Sequence, residues 1–295
     1  MPYRETNAMI RKNQAVEHNP QSIEDSPLVS IVIPTRDSEK TISSCLAAIR
    51  HQIYQNIEVI IVDSSKDNTR KIAEKYGCLI LSKEALMTQA RNIGAIHAKG
   101  EYVFHLDADI KIDNPNTITD CVSLCKEGAD AVFVPQVFEG EGFWGKCREL
   151  EFRLYKEYRL LRVARFVRKG VLDAIGGYDE GLISGEDWDV TQKLELHHYN
   201  IAISNTTMIH GWGPISVPSL VRKSYKYGKS VSHYAKKYPF TTFQQWGPSR
   251  FLFLLKNGLH YYPKYVIGIL LLKSFEFGAG FLGIVAVRFG SNRFN

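Results

Sequence analysis

Residues 100–109 read GEYVFHLDAD, a short apolar run that ends in two carboxylates. Its central part has the length and composition of a buried β-strand. Comparable apolar runs predict further strands at 28–34, 57–63, 78–82 and 131–135. Amphipathic patterns between them predict helices at 38–52, 67–76, 84–98 and 115–127. This alternation with short connections indicates an α/β fold, with a mostly parallel sheet and helices on both faces.

Polar residues follow three of these strands. Thr35 and Asp37 come after the first strand, Asp63 ends the second, and Asp107 and Asp109 follow the fourth. Ligands of open α/β sheets bind at the carboxyl ends of the strands, so we expect these side chains to line one crevice. Asp37 and Asp63 could bind a base or a ribose there, or could be turn and cap residues. No G-x-G-x-x-G follows the first strand and the chain has no G-x-x-x-x-G-K-[ST], which disfavours Rossmann-type NAD binding and P-loop ATP hydrolysis.

Asp107 and Asp109 form a D-x-D pair. Two carboxylates at this spacing after a strand offer oxygen ligands to one hard cation, Mn²⁺ or Mg²⁺. Such a cation neutralises charge on a leaving diphosphate. His210 follows an apolar run and is a third candidate, because a neutral imidazole can complete a carboxylate metal site. The alternatives are a surface turn for the aspartates and a hydrogen-bonded core position for the histidine.

The stretch GEDWD at 185–189 begins a predicted helix over 186–197. Adjacent acids at a helix start cannot share one face, so Glu186 and Asp187 can have separate roles, one structural and one as proton acceptor. Helix capping is the alternative for both. Trp188 could lie in the core or stack on a sugar ring, and Asp189 is predicted to be a solvated first-turn acid.

Charge is distributed unevenly along the 295 residues, although the formal net charge is only +6. Residues 216–295 are strongly basic, with Glu276 as their single acid, whereas residues 1–215 have an excess of acids. A basic, apolar and Tyr-rich end without a nucleic-acid module favours a membrane surface over nucleic acid. Five cysteines without a C-x-x-C pair argue against a disulfide scaffold and a Cys-rich zinc site.

Over roughly residues 28–230 the chain resembles the family 2 glycosyltransferases, which have the GT-A fold, a Rossmann-like sheet with helices on both faces. The resemblance rests on VSIVIPTRDSEKTISSCLAAI, IEVIIVDSSKDNT, QARNIGAIHAKGEYVFHLDAD and IGGYDEGLISGEDWDV. Two departures stand out. Arg36-Asp37 replaces the Tyr/Phe-Asn of many members, and the absence of a clear Q-x-x-R-W weakens any case for a processive polysaccharide synthase.

The resemblance implies a role for each matching residue. Asp109 would be the direct metal ligand, with Asp107 close to the ribose or metal and His210 as a further metal or diphosphate contact. Asp187 would be the general base of an inverting transfer that needs only one base. The residues implied in nucleotide and donor binding are Pro34, Thr35, Asp37, Asp63, Arg91, Asp107, Gly176, Gly177, Tyr178, Glu186, Arg222 and Lys223.

Residues 266–287 read VIGILLLKSFEFGAGFLGIVAV, long enough to cross about 30 Å of hydrocarbon. Lys273 and Glu276 within this stretch could pair on one helix face. Three interpretations stay open: a spanning helix, possibly paired with 249–262; an interfacial arrangement; and packing against the catalytic domain or a second copy. The surplus of Lys, Arg and Tyr favours the first two, and the preceding basic residues place the catalytic domain on the cytoplasmic side.

We therefore expect an N-terminal tail (1–26), a GT-A catalytic domain (27–215) and a helical membrane-association region (216–295). The expected reaction moves a hexose from a nucleotide-sugar, GDP-mannose or a UDP-hexose, to a hydroxyl or phosphate of a lipid-linked acceptor. One alternative is a transferase that builds an extracellular polysaccharide or glycolipid, and another is a nucleotidyltransferase-like enzyme. A third is a catalytically degenerate, membrane-tethered nucleotide-sugar-binding protein, against which the intact Asp107, Asp109 and Asp187 argue.

Overall fold

The computed structural model describes residues 26–290, so the predicted tail at 1–26 lies outside the described residues except for Ser26. The strands are β1 (Val29–Thr35), β2 (Ile57–Asp63), β3 (Leu79–Ser82), β4 (Tyr102–His105), β5 (Ile110–Lys111), β6 (Ala131–Phe133), β7 (Gln136–Glu141), β8 (Ala164–Arg168), β9 (Ile201–Ile203) and β10 (Met208–Pro214). The helices are α1 (Ile42–Arg50), α2 (Thr69–Glu74), α3 (Met87–His97), α4 (Thr117–Lys126), α5 (Gly142–Tyr155), α6 (Lys169–Ala174), α7 (Glu186–Leu196), α8 (Val217–Lys237), α9 (Pro239–Trp246), α10 (Pro248–Gly258) and α11 (Pro263–Gly290).

Seven strands form the main sheet in the order β3-β2-β1-β4-β8-β6-β9. All neighbouring pairs are parallel except those of β8, which is antiparallel to β4 and β6. The apolar, β-branched residues of β1 are all buried, as expected for a central strand with both faces covered. The prediction of an α/β, mostly parallel sheet is therefore confirmed.

Helices cover the sheet on both faces. Successive side chains of a strand point to opposite faces, so the apolar residues of β1 contribute to two separate cores. On one side Ile31 and Ile33 of β1 pack in a core with residues of α1 and α4. On the other side Val32 packs in a second core with residues of α3, α6 and α7. Because both faces of the sheet are packed against helices, the residues at the carboxyl ends of the strands are held in defined positions.

The apolar positions of residues 139–165, among them Phe143, Leu150 and Leu161, predict one helix over that segment. This prediction is wrong. The segment contains the end of β7, the helix α5, a 3-10 turn at Arg159–Leu161 and the start of β8. Gly142 begins α5 with a positive φ of 63°, which glycine adopts without strain. A Cβ at Gly140 would overlap the backbone of Gly145. Because glycine has no Cβ, the end of β7 can pack directly against the first turn of α5. Apolar spacing alone does not separate a short strand from a helix, which explains the error.

A smaller sheet, in the order β5-β10-β7, lies beyond the carboxyl end of β4. Strand β10 pairs antiparallel with β5 and parallel with β7. This pairing sets His210 opposite Ile110, immediately after the D-x-D pair. The small sheet therefore brings a residue from late in the chain to the edge of the main sheet.

The C-terminal segment is helical, as predicted, and its first helix is α8. The structure adds a helix, α9, that the sequence did not predict. α11 packs along α8 and against α5. Its segment Pro263–Val287 is long and apolar enough to cross a membrane, although about a third of the apolar stretch is buried against the rest of the protein.

Candidate functional site

The ends of β1 and β2 lie side by side, with Thr35 directly opposite Asp63. The Thr35 hydroxyl donates a hydrogen bond of 2.7 Å to Asp63 Oδ1, and both residues are buried. Pro34 is also buried within β1. Asp37 lies beyond the strand with a positive φ of 50°, and its Oδ1 accepts a hydrogen bond of 2.9 Å from the Lys66 amide. The structure thus brings the four predicted nucleoside-site residues to one edge of the sheet.

Asp107, Asp109 and His210 come together at the end of β4. One potential ligand atom from each lies within 4.8 Å of the others. Nε2 of His210 is 3.8 Å from Oδ1 of Asp109, whose side chain is half exposed. Two carboxylates and an imidazole are a donor set that suits Mn²⁺ or Mg²⁺ bound through oxygen with one nitrogen ligand. The residues present therefore fit a divalent cation.

Gln136 orients the imidazole of this cluster. Its Oε1 lies 2.8 Å from Nδ1 of His210. An amide oxygen only accepts, so Nδ1 carries the hydrogen and the lone pair of Nε2 is left on the side of Asp109. Burial lowers the pKa of His210 more than the neighbouring Asp109 and Asp107 raise it. The ring is therefore neutral at pH 7, the form that binds metals.

Two arginines connect the D-x-D pair with the acids of α7. Arg91 on α3 places Nη2 2.6 Å from Asp107 Oδ1 and Nη1 2.5 Å from Asp187 Oδ1. Arg165 on β8 places Nη1 3.0 Å from Asp107 Oδ2 and Nη2 2.6 Å from Asp187 Oδ2. Both guanidinium groups are almost fully buried. Each aspartate is thus held through both oxygens by charge-assisted contacts of fixed geometry.

Burial and charge act differently on the acids of this network. Burial opposes ionisation of Asp107, but Arg165 and Arg91 hold its pKa well below the usual range. Burial, together with the negative charge of Asp187, raises the pKa of Glu186 to about 7. Glu186 lies 3.2 Å from Arg91. The site therefore combines a permanently charged carboxylate with one that titrates near neutral pH, a pairing suited to proton transfer.

Glu186 and Asp187 occupy the first turn of α7, where the helix dipole favours acids. Gly185 precedes them with a φ of 82°, and an added Cβ there would meet the ring of Tyr234 on α8. The prediction that Asp189 is solvated is wrong. It is fully buried and pairs with Lys193 and Lys237, because α8 covers this side of α7.

A turn with two glycines, Gly176 and Gly177, lies between α6 and α7, and the residue after it contacts α3. Gly176 and Gly177 have φ values of 74° and 62°. The side chain of Asn92 donates to the Tyr178 carbonyl and accepts from the Tyr178 amide, each over 2.9 Å. The guanidinium carbon of Arg91 lies 5.1 Å from the centre of the Tyr178 ring. The predicted sugar-pocket residues therefore adjoin the arginine network.

Residues of α8 reach this region from the C-terminal side. Arg222 and Lys223 are both exposed on that helix. Lys223 is near enough to His210 to lower its pKa. Trp188 packs beside Tyr234, with ring centres 6.0 Å apart, so its indole is part of the contact between α7 and α8. The helix α8 is thus a wall of the site as well as part of the C-terminal region.

Three residues of the candidate site were not predicted from the sequence: Arg165, Gln136 and Asn92. Arg165 and Gln136 lie in segments whose strands the sequence did not predict. For Arg165 the local pattern gives no strand signal, since the charged residues of ARFVR at 164–168 stand three positions apart. Asn92 stands next to Arg91 in the quoted Ala-Arg-Asn stretch, but its contact is 86 residues away along the chain.

The chain is similar to known glycosyltransferases in sequence and in fold. It is 27% identical over 175 residues to the PGL/p-HBAD biosynthesis glycosyltransferase of Mycobacterium bovis (strain BCG / Pasteur 1173P2), covering 56% of this chain and 68% of the relative. The mannosyltransferase PcManGT from Pyrobaculum calidifontis, solved with GDP-Man and Mn²⁺, superposes with a TM-score of 0.57 and 18% identity over 90% of this chain and 79% of that one.

S. aureus TarS 1–349, solved with UDP-GlcNAc, superposes with a TM-score of 0.55 and 18% identity over 89% of this chain and 92% of that one. A longer TarS chain is spanned to 55% of its length. The sequence profile described as Glycosyl transferase family 2 matches residues 30–178, about half of the chain and the part that carries the D-x-D pair and the Arg91 helix. With this match and the α/β sheet described above, the chain belongs to the family 2 glycosyltransferases and has a GT-A-like fold.

Proposed function

We propose that this glycosyltransferase is a metal-dependent, inverting hexosyltransferase that acts on a lipid-linked acceptor at the cytoplasmic face of a membrane. The observation that carries the proposal is the joining of two clusters. Arg91 and Arg165 connect the candidate metal ligands at the end of β4 with Glu186 and Asp187 at the start of α7. A donor diphosphate and an acceptor hydroxyl could therefore meet within one crevice.

Asp109, His210 and Asp107 would hold the divalent cation, Mn²⁺ or Mg²⁺. When bound, the cation supplies positive charge that stabilises the leaving nucleoside diphosphate. Arg222 and Lys223 on α8 would add positive charge on the C-terminal side. The support for this assignment is the oxygen-rich donor set and the neutral imidazole that Gln136 orients.

Asp187 is our first candidate for the general base that takes the proton of the acceptor hydroxyl. Both of its oxygens contact guanidinium groups, which fixes the carboxylate in one orientation. A carboxylate has about four positions that can accept a hydrogen bond. Asp187 can therefore accept a hydrogen bond from the acceptor hydroxyl while both arginines stay in place. Attack from that side in one step inverts the anomeric carbon. Glu186, with its raised pKa, is the second candidate.

Thr35, Asp37 and Asp63 would bind the nucleoside at the ends of β1 and β2, with Pro34 beneath it and Arg91 near the nucleotide. Gly176, Gly177 and Tyr178 would shape the pocket of the donor sugar. We favour GDP-mannose or a UDP-hexose as the donor. Related folds bind donors of both kinds: PcManGT was solved with GDP-Man and TarS 1–349 with UDP-GlcNAc.

Residues 27–215 would form the catalytic domain, and residues 216–295 the membrane-associated region. The long apolar α11 and the basic residues of α8 support a membrane location. An active site beside a membrane suits an acceptor such as a polyprenyl phosphate or a polyprenyl-diphosphate oligosaccharide. The basic residues ahead of the apolar stretch support the cytoplasmic side for the catalytic domain.

The test is transfer of radiolabelled sugar from a panel of GDP- and UDP-sugars to polyprenyl phosphate in detergent, with Mn²⁺ and with EDTA. We expect a labelled lipid product that requires the metal and that Asp109→Asn abolishes. Nuclear magnetic resonance of the product should show the anomer opposite to that of the donor. Metal-independent transfer, or retention of the donor's configuration, would contradict the proposal.

A further inference from the structure

The helix α11 has two distinct sides, one exposed and one packed against the rest of the protein. Seven residues share an exposed arc about 120° wide by helical geometry: Ile267, Leu271, Ser274, Phe275, Gly278, Phe281 and Leu282. This outer stripe holds no charged residue. Its large side chains are well exposed, from 47% for Phe275 to 65% for Phe281. A continuous apolar stripe of this length on a protein surface indicates a contact with another apolar phase or partner.

The inner side of the first half of α11 is held to the catalytic domain by buried charges. Nζ of Lys273 lies 2.6 Å from Glu151 on α5 and 2.5 Å from Glu276. Arg148 on α5 contacts Glu276 over 2.5 Å, and Arg250 on α10 contacts Glu151 over 3.2 Å. Lys273 and Glu276 are therefore partners of α5, whose Glu151 also pairs with Arg250 of α10, and they point away from the outer stripe.

The second half of α11 is held to α8 by close backbone contact. A Cβ at Gly228 of α8 would overlap the carbonyl of Gly280, and a Cβ at Gly283 would overlap the carbonyl of Tyr225. Only glycine permits this approach. Four exposed residues of α8 share one side of that helix by helical geometry and are all basic: Arg222, Lys226, Lys229 and Lys236. An exposed apolar stripe on one helix and an exposed row of cations on the helix packed against it together suit a bilayer that contains anionic lipids.

These contacts decide between crossing a membrane and lying on it. If α11 crossed the bilayer in this structure, α5 and α8 would follow it into the hydrocarbon with their Lys and Arg residues, which is strongly unfavourable. We propose that α11 lies in the plane of an anionic bilayer, with its outer stripe inserted and both of its ends on the same side. This inference rests on the membrane location within the proposed function and makes it specific.

The in-plane arrangement places the active site next to the lipid. α8 carries Tyr234, which packs against Gly185 just before the Glu186-Asp187 pair. The same helix carries Lys223, which acts electrostatically on His210. A lipid-linked acceptor could therefore reach the crevice along α8 while its chain stays in the membrane.

Cysteine labelling from the two sides of a membrane tests the topology. Lys264→Cys and Val287→Cys mark the two ends of α11, in a Cys78→Ser background, because the other four cysteines are buried. We expect a membrane-impermeant maleimide to label both positions in inverted vesicles and neither in intact spheroplasts. Labelling of the two positions from opposite sides would overturn the proposal in favour of a spanning helix.

Vesicle flotation of the purified full chain tests the surface. We expect binding to vesicles of phosphatidylcholine and phosphatidylglycerol that falls about tenfold or more for each of Leu271→Glu and Phe275→Glu. Lys226→Gln and Lys229→Gln should each weaken binding about fivefold. Ile96→Glu, at a 75% exposed position on α3, is the matched control and should leave binding unchanged.

Absence of flotation by the unaltered chain would overturn the proposal, and a dimer in gel filtration would then assign the stripe to a second copy. Circular dichroism checks that each variant is folded. Asp187→Asn separates this inference from the proposed function, because it should abolish transfer and leave flotation intact. Loss of flotation in an enzyme that still transfers sugar would defeat only the in-plane arrangement.

Discussion

Arg165 of β8 donates to Asp187 of α7 over 2.6 Å, and both side chains are largely withdrawn from water. The contact joins the one antiparallel strand in the middle of the main sheet to the helix that carries the proposed base. Through its other nitrogen Arg165 also reaches Asp107 over 3.0 Å. One side chain therefore sets the distance between the proposed metal ligands and the proposed acceptor-facing acids.

Replacing Arg165 by Met should lower kcat by about 100-fold, because Asp107 and Asp187 would lose a shared partner and shift relative to each other. It should also destabilise the fold by about 3–5 kcal/mol, the usual cost of breaking a buried ion pair. Arg165→Lys keeps the charge but not the forked geometry, so we expect an intermediate effect. Steady-state kinetics and thermal unfolding measure both. Full activity of Arg165→Met would show that the network has no role in catalysis.

The raised pKa of Glu186 predicts a pH dependence of stability. A carboxyl group with a pKa of about 7 in the folded state and 4.5 as its ordinary value favours folding most at low pH. That contribution is complete below pH 4.5 and is lost as the pH rises through about 7, up to roughly 3 kcal/mol. Glu186→Gln should therefore be more stable than the unaltered protein at pH 8. Urea unfolding at pH 5 and pH 8 measures the difference, and equal pH dependence of the two proteins would contradict the assignment.

Gln136→Leu should weaken the apparent affinity for Mn²⁺ by about 10–100-fold, since the imidazole of His210 loses the acceptor that orients it. Titration of transfer activity with Mn²⁺ gives the half-saturating concentration. Gln55→Leu is the control, because Gln55 precedes β2 at the opposite edge of the sheet. If Gln136→Leu needs the same Mn²⁺ concentration as the unaltered protein, the proposed role of His210 as a metal ligand would be contradicted.

Glu151→Ala should destabilise the protein by about 3–5 kcal/mol, because Lys273, Arg148 and Arg250 would keep their buried charges without their common partner. Glu149→Ala on the same helix breaks only an exposed pair with Lys146. Its expected cost is at most about 1 kcal/mol. Chemical denaturation of both variants compares them directly. Similar losses would mean that the buried cluster does not hold α11 in place.

Gly228→Ala should destabilise the contact between α8 and α11, because the added Cβ overlaps the Gly280 carbonyl. Gly278→Ala is the matched control on α11, where an added Cβ meets nothing within 4 Å. That control should be stabilising by up to about 1 kcal/mol, since alanine is the better helix former. The midpoint temperature of thermal unfolding should fall for Gly228→Ala and rise for Gly278→Ala. A shift of the same sign would argue against tight packing of the two helices.

Most of the α/β order between residues 28 and 135 could be predicted from the sequence. Short apolar strands, amphipathic helices and polar residues at strand ends are local patterns, and topology then brings Thr35, Asp63 and the D-x-D pair to one edge. The expectation that His210 joins Asp107 and Asp109 matches the observed cluster. Asp107 and Asp187 lie close together through Arg91 and Arg165, a link that the strand-end pattern did not predict.

The sequence by itself determined the alternating elements and the residue types of the site, because periodicity reports which positions are buried within each element. It did not determine which buried side chains, distant along the chain, pair with the acids of the site. Arg165 became part of the site only when β8 inserted antiparallel between β4 and β6. The apolar residues of α11 are spread all around the helix, so only the tertiary structure, in which α5 and α8 bury one side, decided which side stays exposed.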